Sequence, residues 1–456
     1  MTSMLRNCSM QDSAISEIMS ARQAGRQLRV CMLAYAFYET DTRIMQYATA
    51  LAERGDIVDV IALQRDDSLP KCEDINGVHV YRIQSRSLNE KGLFAYVSRI
   101  LRFFFRSIFF LKAKNLHHTY DAVHVHNVPD FLVFAAMFPK WKKVPVILDI
   151  HDLLPEFYAS KFKISHSSII FKLMLVIERC SAKFADHVIV ANDIWRDRLV
   201  ARSSRAEKCS VVRNRPDLSI FVRQAAPRPQ DGKFLLTYPG SLNWHQGLDI
   251  AIRAFARVAP EMPDAEFHIY GEGSAKPALQ TLAAELCMQG RVIFHHFLPS
   301  HEIAKVMART DLAIEPKRTG SAFSNEALST KILEFMSLGV PVIACRTRIH
   351  AYYYDDSIIQ YYENDDEIEL ANQILFLRNN RERRNSMVEN AMRYAEENTW
   401  DMRKGEYLVL INSLTNNMTS LSIPPSTRTD AKNQIRSTDP SLAMIQHTRT
   451  YCLRDH

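Results

Sequence analysis

Residues 28–63 read LRVCMLAYAFYETDTRIMQYATALAERGDIVDVIAL. LRVCMLAYA is an apolar run of strand length, and IVDVIAL at 57–63 is another. Between them, residues 42–54 have helical spacing, and Gly55 follows as a residue suited to ending a helix. Strand, helix and strand in such short order predict a parallel pair joined by a helical crossover. The rhythm continues with VHVYRI (78–83), a Phe-rich helix, DAVHVHN (121–127), a helix around 131–138, PVILDIHD (145–152), a long helix near 169–184 and HVIVAN (187–192). Most of these strands are apolar on both faces, which predicts a sheet covered by helices on both sides.

A stretch of Pro, Gln, Asp and Gly near 222–233 reads as a linker, and a second series begins beyond it. FLLTYPG (234–240), AEFHIYGEG (265–273), RVIFHHF (291–297), DLAIEP (311–316) and VPVIACR (340–346) alternate with helices expected at 248–259, 276–289, 301–308, 326–338 and 366–379. A charged helix and a final helix, TWDMRKGEYLVLINSL (399–414), close the series. The expected fold class is therefore α/β, with two Rossmann-like, doubly wound parallel-sheet domains facing each other across a cleft. The expected division is a flexible extension over 1–26, an N-terminal domain over 27–222, a C-terminal domain over 228–395, a closing helix over 396–415 that returns to the first domain, and a disordered tail over 416–456, where the composition turns to Ser, Thr, Pro and Asn. A chain of 456 residues is too long for one ordinary core and suits two.

The run SNEALSTKILEFMSLGVPVIA (324–344) carries Glu326 and Glu334 eight positions apart. On one continuous helix that spacing leaves the carboxylates about 80° apart and two turns apart. Lys331 stands three residues before Glu334 and shares its surface. Two carboxylates and an ammonium near a helix start suit a ligand that offers both hydroxyls and phosphate. Carboxylates accept from vicinal hydroxyls, while the ammonium and free backbone N–H groups face phosphate oxygens. An amphipathic helix with a charged edge would give the same letters, so the surrounding pattern has to decide.

That pattern resembles the family-4 glycosyltransferases, which have the GT-B fold and generally retain anomeric configuration. The resemblance covers about residues 28–412. It rests on DAVHVHNVPDFLVFAA, ILDIHDLLPEFY, FADHVIVAN, VVRNRPD, YPGSLNWHQGLDIAIRAFA, FHIYGEG and the Glu326 region, in that order. It implies transfer of a sugar from a nucleotide-sugar donor, with UDP-sugars first and GDP-mannose second, to a lipid-linked or saccharide acceptor in envelope or exopolysaccharide synthesis. The C-terminal domain would hold the donor and the N-terminal domain the acceptor. By the same resemblance Glu334 binds the nucleotide ribose, Glu326 lies by the donor sugar, and His151 sits next to that sugar. Glu326 and His151 are thus the expected catalytic residues. The nucleotide sugar is a co-substrate, and no further cofactor is expected.

Other positions follow from the strand ends. His151 and Asp152 come directly after the strand 146–150, and His126 and Asn127 end DAVHVHN, so all four fall at the carboxyl edge where the cleft opens. Asp41 reads either as an acceptor-side group or as a helix cap, and Arg43 as a neighbour of the cleft. Gly240, Ser241, Gln246 and Gly247 lie in the loop between strand and helix that would present N–H groups to a diphosphate. Gly271 and Gly273 permit close backbone approach of a ligand. Many relatives carry an arginine after the first of the loop glycines and a lysine before the second, where this chain has Ser241 and Gln246. Lys331, Lys317 or Arg318 would then have to neutralise the leaving diphosphate. Two other readings stay open: a sugar-nucleotide epimerase of related fold, and a non-catalytic binding protein of the same fold.

The net charge of +6 permits contact with anionic lipid or phosphorylated substrate and gives no argument for a nucleic-acid partner. Eight scattered cysteines without C-x-x-C spacing, and sixteen histidines without a ligand motif, predict a reducing compartment and no structural metal. The run GLFAYVSRILRFFFRSIFFL (92–111) holds three arginines, too many for a span, and reads either as an interfacial helix or as a buried domain helix with one exposed edge. Its arginines Arg99, Arg102 and Arg106 fall on one stripe, with Leu101, Phe104, Ile108 and Leu111 expected opposite. A cytoplasmic location, with peripheral contact at the inner membrane face through 92–111, is the expectation.

Overall fold

The computed structural model describes residues 26–86, 93–117, 119–162, 164–217, 220–223, 232–320, 322–363 and 365–415. The expected extension before Arg26, most of the linker and the tail 416–456 lie outside the described residues. The chain up to Thr415 forms one compact unit.

The first sheet contains β1 (Arg29–Ala34), β2 (Ile57–Gln64), β3 (Cys72–Ile75), β4 (Val78–Ser85), β5 (Ala122–His126), β6 (Val146–Ile150), β7 (His187–Val190) and β8 (Cys209–Val211). Their spatial order is β3-β4-β2-β1-β5-β6-β7-β8, and all neighbours are parallel except β3 against β4. The helices of this half are α1 (Thr42–Arg54), α2 (Leu93–His117), α3 (Met137–Trp141), α4 (Leu154–Phe162), α5 (Ile169–Phe184) and α6 (Asp193–Arg202). The second sheet contains β9 (Phe234–Pro239), β10 (Ala265–Tyr270), β11 (Val292–His295), β12 (Leu312–Glu315), β13 (Val342–Cys345) and β14 (Gln360–Tyr362). Its order is β11-β10-β9-β12-β13-β14, entirely parallel. Around it stand α7 (Leu248–Val258), α8 (Lys276–Glu285), α9 (Ser300–Met307), α10 (Ala322–Glu326), α11 (Thr330–Ser337), α12 (Arg348–Tyr353), α13 (Glu367–Asn379) and α14 (Arg381–Glu397), followed by α15 (Trp400–Thr415).

Local chemistry explains the first crossover. The Asp41 carboxylate accepts from the Ile44 amide at the start of α1, and Gly55 closes it with φ 101°. Ile44, Tyr47, Ala48 and Leu51 form the buried stripe between. Along β1 the side chains alternate: Cys31 and Leu33 enter the core shared with α2, α5 and α6, while Val30 and Met32 enter the core shared with α1 and α15. Tyr407, Leu410 and Ile411 of α15 belong to this second core, so the last helix packs on the first sheet.

Both sheets reverse their winding once, between β1 and β5 and between β9 and β12. In doubly wound sheets the crevice at such a reversal lies at the carboxyl ends of the strands. His126 ends β5, and the loop at Gly240 and the residue Glu315 end β9 and β12.

Three expectations need correction. The helix expected over 326–338 is two helices, α10 and α11, separated by Ala327, Leu328 and Ser329. The 80° relation between Glu326 and Glu334 therefore does not hold. The break persists because the Ala327 carbonyl accepts from the buried Lys317 ammonium at 2.6 Å instead of from a helical amide. The helix expected around 131–138 is a 3₁₀ segment, Asp130–Ala136, leading into the short α3. On α2, Leu101 faces solvent with Arg102 and Arg106, whereas Leu111 is buried and Phe104 and Ile108 pack on the core as expected, beside the buried Ile100, Phe103 and Ser107.

Candidate active site

The carboxyl edge of the first sheet is built around an acid that spacing alone did not single out. Asp149 lies inside β6 and is fully buried. Arg43, reaching from α1, grips it through two bonds, Nε to Oδ2 at 2.8 Å and Nη2 to Oδ1 at 2.6 Å. The same guanidinium donates to the Val212 carbonyl and to Asn214. Burial works against the ionised carboxyl, but Arg43 and then His151 outweigh it and hold Asp149 well below the usual carboxylate range. A carboxylate on a strand buried on both faces is the signal that a sequence offers here, because such a charge requires a partner.

His126 and His151 converge on that carboxylate. His126 Nδ1 is 3.2 Å and His151 Nε2 3.1 Å from Asp149 Oδ2, and the two ring nitrogens are 3.2 Å apart. Burial pushes His126 below its ordinary value, whereas His151 is partly open to solvent. Asn127 is spent on structure. Its amide group donates to Asp130 and to the Asp152 carbonyl, and its oxygen accepts from the His151 amide at 2.8 Å. Asn127 therefore fixes the turn that presents His151. Asp41 caps α1, as one of its two expected readings had it.

His124, His126 and Asp149 each offer a ligand atom within 4.8 Å of the others, a grouping that alternation on β5 and a neighbouring strand produce and that spacing in one segment does not reveal. Both Asp149 oxygens already face Arg43. A dication there would sit against a buried guanidinium, so the donor set does not fit a metal well.

In the second domain, Glu315 at the end of β12 gathers the cations. Lys331 Nζ lies 3.1 Å from Glu315 Oε2, 3.4 Å from the Tyr238 hydroxyl and 4.6 Å from the Tyr238 ring centroid. A Cβ added to Gly240 would meet that ammonium, so Lys331 lies directly beneath the Gly240 loop. Lys317 is buried against the same carboxylate, and burial brings its ammonium down to about 8. His350 is buried beside them; its Nδ1 faces the Cys345 carbonyl at 3.0 Å, so that nitrogen is the protonated one. Glu334, one turn along from Lys331, is raised to about 7 by burial, with Glu315 adding repulsion. Of the three cations offered as substitutes at the diphosphate, Arg318 is held by Asp249 and the Trp244 carbonyl, and Lys317 by the Ala327 carbonyl. Lys331, paired with Glu315, lies at the Gly240 end of the loop, and Arg318 at its Trp244–Gly247 end.

The loop itself is backbone packed on backbone. Gly240 donates to the Tyr270 carbonyl and Leu242 to the Glu272 carbonyl, both at 2.9 Å. A Cβ at Gly271 would run into the Gly240 carbonyl, and one at Gly273 into Leu242. These two glycines serve the close approach of the two loops. Gly247, with φ 70°, abuts the Pro316 carbonyl for the same kind of reason. Ser241 is exposed, and its hydroxyl accepts from Gln246 at 3.3 Å, so neither residue brings charge.

The two domains meet around Glu326. Its Oε1 accepts from Arg198 of α6 at 2.5 Å and from Arg348 at 2.9 Å, while Oε2 is buried with no hydrogen-bond partner among the described residues. Its carbonyl accepts from Asn192 at 3.0 Å. Phe323 packs on Phe157 and Trp195. Asp152 and Lys317 lie near enough across the same junction for each to act on the other's charge. Arg198 and Arg348 carried no signal in the sequence, since only the folded chain brings them to Glu326. Glu156, beside them in the first domain, is consumed by Arg202 and Arg198.

Comparison with known proteins places this geometry in context. Residues 222–394 match the family described as Glycosyl transferases group 1, and residues 40–215 the Glycosyl transferase 4-like domain. The chain is 24% identical over 159 residues, 35% of its length, to a putative colanic acid biosynthesis glycosyltransferase of Salmonella typhimurium. That match spans 39% of the relative, so the chain covers about two-fifths of it. It is 33% identical over 103 residues, 22% of its length and 27% of the relative, to a GDP-mannose-dependent phosphatidylinositol monomannoside mannosyltransferase of Mycolicibacterium smegmatis. Among solved structures it is similar to a sucrose-phosphate synthase from Thermosynechococcus elongatus, with TM-score 0.69, 16% identity and coverage of 86% of this chain and 100% of that one. HepE of Anabaena in complex with UDP gives TM-score 0.63, 16% identity and coverage of 84% and 98%. At such identity the structural likeness speaks for the fold alone.

Proposed function

The chain belongs to the group 1 glycosyl transferases, with both of the family's domains present, and from that premise we propose that it moves a sugar from a nucleotide-sugar donor to a glycan or lipid-linked acceptor. The observation that carries the reading is the Glu315–Lys331 pair with Glu334 beside it, under the Gly240 loop at the reversal of the second sheet. The His126, Asp149 and His151 group stands at the reversal of the first sheet, and Asp152, next to His151, acts on the charge of Lys317 beside Glu315.

In this reading the bond from the sugar's anomeric carbon to the diphosphate oxygen breaks as an acceptor hydroxyl oxygen bonds to that carbon. The hydroxyl proton passes to the leaving diphosphate, on the face the diphosphate vacates, so configuration is retained. Lys331 offers its ammonium to the diphosphate, supported by the loop amides. Glu334 accepts from the ribose hydroxyls. His151, oriented by Asn127 and Asp149, hydrogen-bonds the sugar, and Glu326 lies on its other side. The close junction around Glu326 excludes water, which would otherwise compete as acceptor.

A UDP-sugar is the favoured donor, in keeping with the UDP complex of a protein of similar fold, and GDP-mannose is the second. The setting is polysaccharide or envelope synthesis, as the name of the Salmonella relative suggests. No helix among the described residues is long and apolar enough to cross a membrane, and the reading places the chain in the cytoplasm with peripheral contact through 92–111.

The test is binding and turnover with a panel of UDP-hexoses and GDP-mannose, read by calorimetry and by nucleoside diphosphate release with membranes as acceptor. One donor should bind and release diphosphate, and Lys331→Met should cut the release about a hundredfold, the scale of losing one charge stabiliser at a leaving group. No binding to any donor would favour a non-catalytic protein. A changed sugar without an acceptor product would favour epimerisation.

A further inference from the structure

Three helices of the first domain carry apolar side chains that solvent reaches. On α2, Leu101, Phe105 and Phe109 follow one another at four-residue intervals, and Phe109 is 70% exposed. On α5, Ile169, Ile170, Leu173 and Val176 are exposed, Ile169 at 84%, and Trp141 at the end of α3 is 76% exposed. All three helices pack against the 3₁₀ segment Asp130–Ala136, so they lie on the same side of the sheet. Cations are interleaved with these side chains. Over its whole length α2 contains five lysines and arginines and no acid, Lys142 and Lys143 follow Trp141, and Lys172 sits among the α5 residues. Aromatic and aliphatic groups mixed with lysine and arginine suit the boundary between acyl chains and phosphate headgroups.

A groove of about 790 Å³ adjoins this face, between β4 and α2. Its wall includes Lys71, Arg82, Gln84, Arg102, Arg106 and Phe110, and among the described residues no carboxylate lines it. Arg82 is taken up by Glu39 and Glu73, and Arg106 spends one bond on the Ile83 carbonyl. Lys71 and Arg102 have no ion-pair partner among the described residues. Arg102 and Arg106 share one helical stripe with Phe105 and Phe109, so a molecule bound by both pairs would have an anionic head and an apolar tail. The ends of β2 and β4, Gln64 and Ser85, also line the groove. It thus opens at the sheet edge that holds His126 and His151.

We propose that α2, α3 and α5 form one bilayer-docking face and that the Lys71–Arg102 groove holds the phosphate headgroup of an anionic membrane phospholipid. The inference rests on the peripheral membrane contact proposed above and sharpens it into a surface with a lipid preference. Such docking turns the carboxyl edge of the first sheet toward the membrane surface, where a lipid-linked acceptor would be presented.

The experiment is co-sedimentation of the full chain with vesicles of phosphatidylcholine alone or mixed equally with phosphatidylglycerol. The wild type should bind the phosphatidylglycerol vesicles at least tenfold more tightly. Lys71→Gln with Arg102→Gln should lose roughly tenfold or more of that preference, since each cation near the surface contributes about 1 kcal/mol. Phe105→Ser with Phe109→Ser should weaken binding to both vesicles. Unchanged donor affinity in each variant shows that it has folded. Wild-type binding that the Lys71 and Arg102 changes leave intact overturns the headgroup site while leaving membrane contact standing. No binding of the wild type to either vesicle overturns both, and the donor assay remains as the separate test of sugar transfer.

Discussion

The Glu334 carboxyl titrates among other charges, and two consequences with opposite signs follow. Its value rises from 4.5 to about 7 because burial penalises the anion and the Lys331 ammonium only partly compensates. A raised carboxyl favours folding while it is protonated. That contribution is fully present below about 4.5 and is lost as pH climbs through 7, amounting to on the order of 3 kcal/mol. Donor binding runs the other way, because ribose hydroxyls donate best to a carboxylate. Donor affinity should therefore increase through pH 7 in the wild type and be flat and about tenfold weaker in Glu334→Gln, with the stability slope flattened as well. Calorimetric titration and chemical unfolding across that range measure both, and an affinity independent of pH in the wild type would remove Glu334 from the ribose. Asp149 shows the limit of reading single residues. Its partner Arg43 stands 106 positions away, and only the fold unites them.

At the scale of elements, the site depends on loops that touch through their backbones. The Gly240 and Gly271 loops are joined by backbone hydrogen bonds, and Gly271 has φ 146°, a conformation that other residues rarely adopt. Gly271→Ala should force the Gly240 loop away from Lys331 and lower donor affinity by tenfold or more, with a stability loss of about 1–3 kcal/mol. An unchanged affinity would show that the loop does not position the donor. Periodicity located α1 to the residue, because it carries a clear apolar stripe between the Asp41 cap and Gly55. It misjudged 326–338, where the letters are helical throughout and the break is set by Lys317 from another strand end. The hairpin strand β3 and the short helix α12 went unread for a related reason: four to six residues carry too few periods to register.

For the whole molecule, the question is what keeps the domains together. Tyr353 in the second domain bonds Asp193 in the first twice, donating to its carboxylate at 2.7 Å and accepting from its amide at 2.9 Å. Asn192 holds the Glu326 carbonyl, and Arg215 the Asn398 carbonyl. Tyr353→Phe removes both Asp193 bonds at little cost in volume. It should shift the chain toward a more open form, seen as a larger radius of gyration in X-ray scattering without donor, and restored toward the wild-type value by saturating donor. An identical radius for both proteins would place the hinge constraint elsewhere. The Arg198 pair on Glu326 crosses between the domains, so the glutamate expected beside the donor sugar also ties them together.

The amino-acid sequence by itself determined the class of fold, the two alternating series and the strand ends at which ligands gather, because apolar periodicity and glycine or acid punctuation act over a few residues. It also carried the family, since several short motifs stand in a fixed order. The tertiary structure decided which charges meet. It joined Arg43 to Asp149, put Lys331 beneath Gly240, split the Glu326 and Glu334 helix, and turned Leu101 outward beside Arg102. Those outcomes rest on contacts between segments far apart in the chain, where Coulomb attraction and burial act through space and leave no period to read.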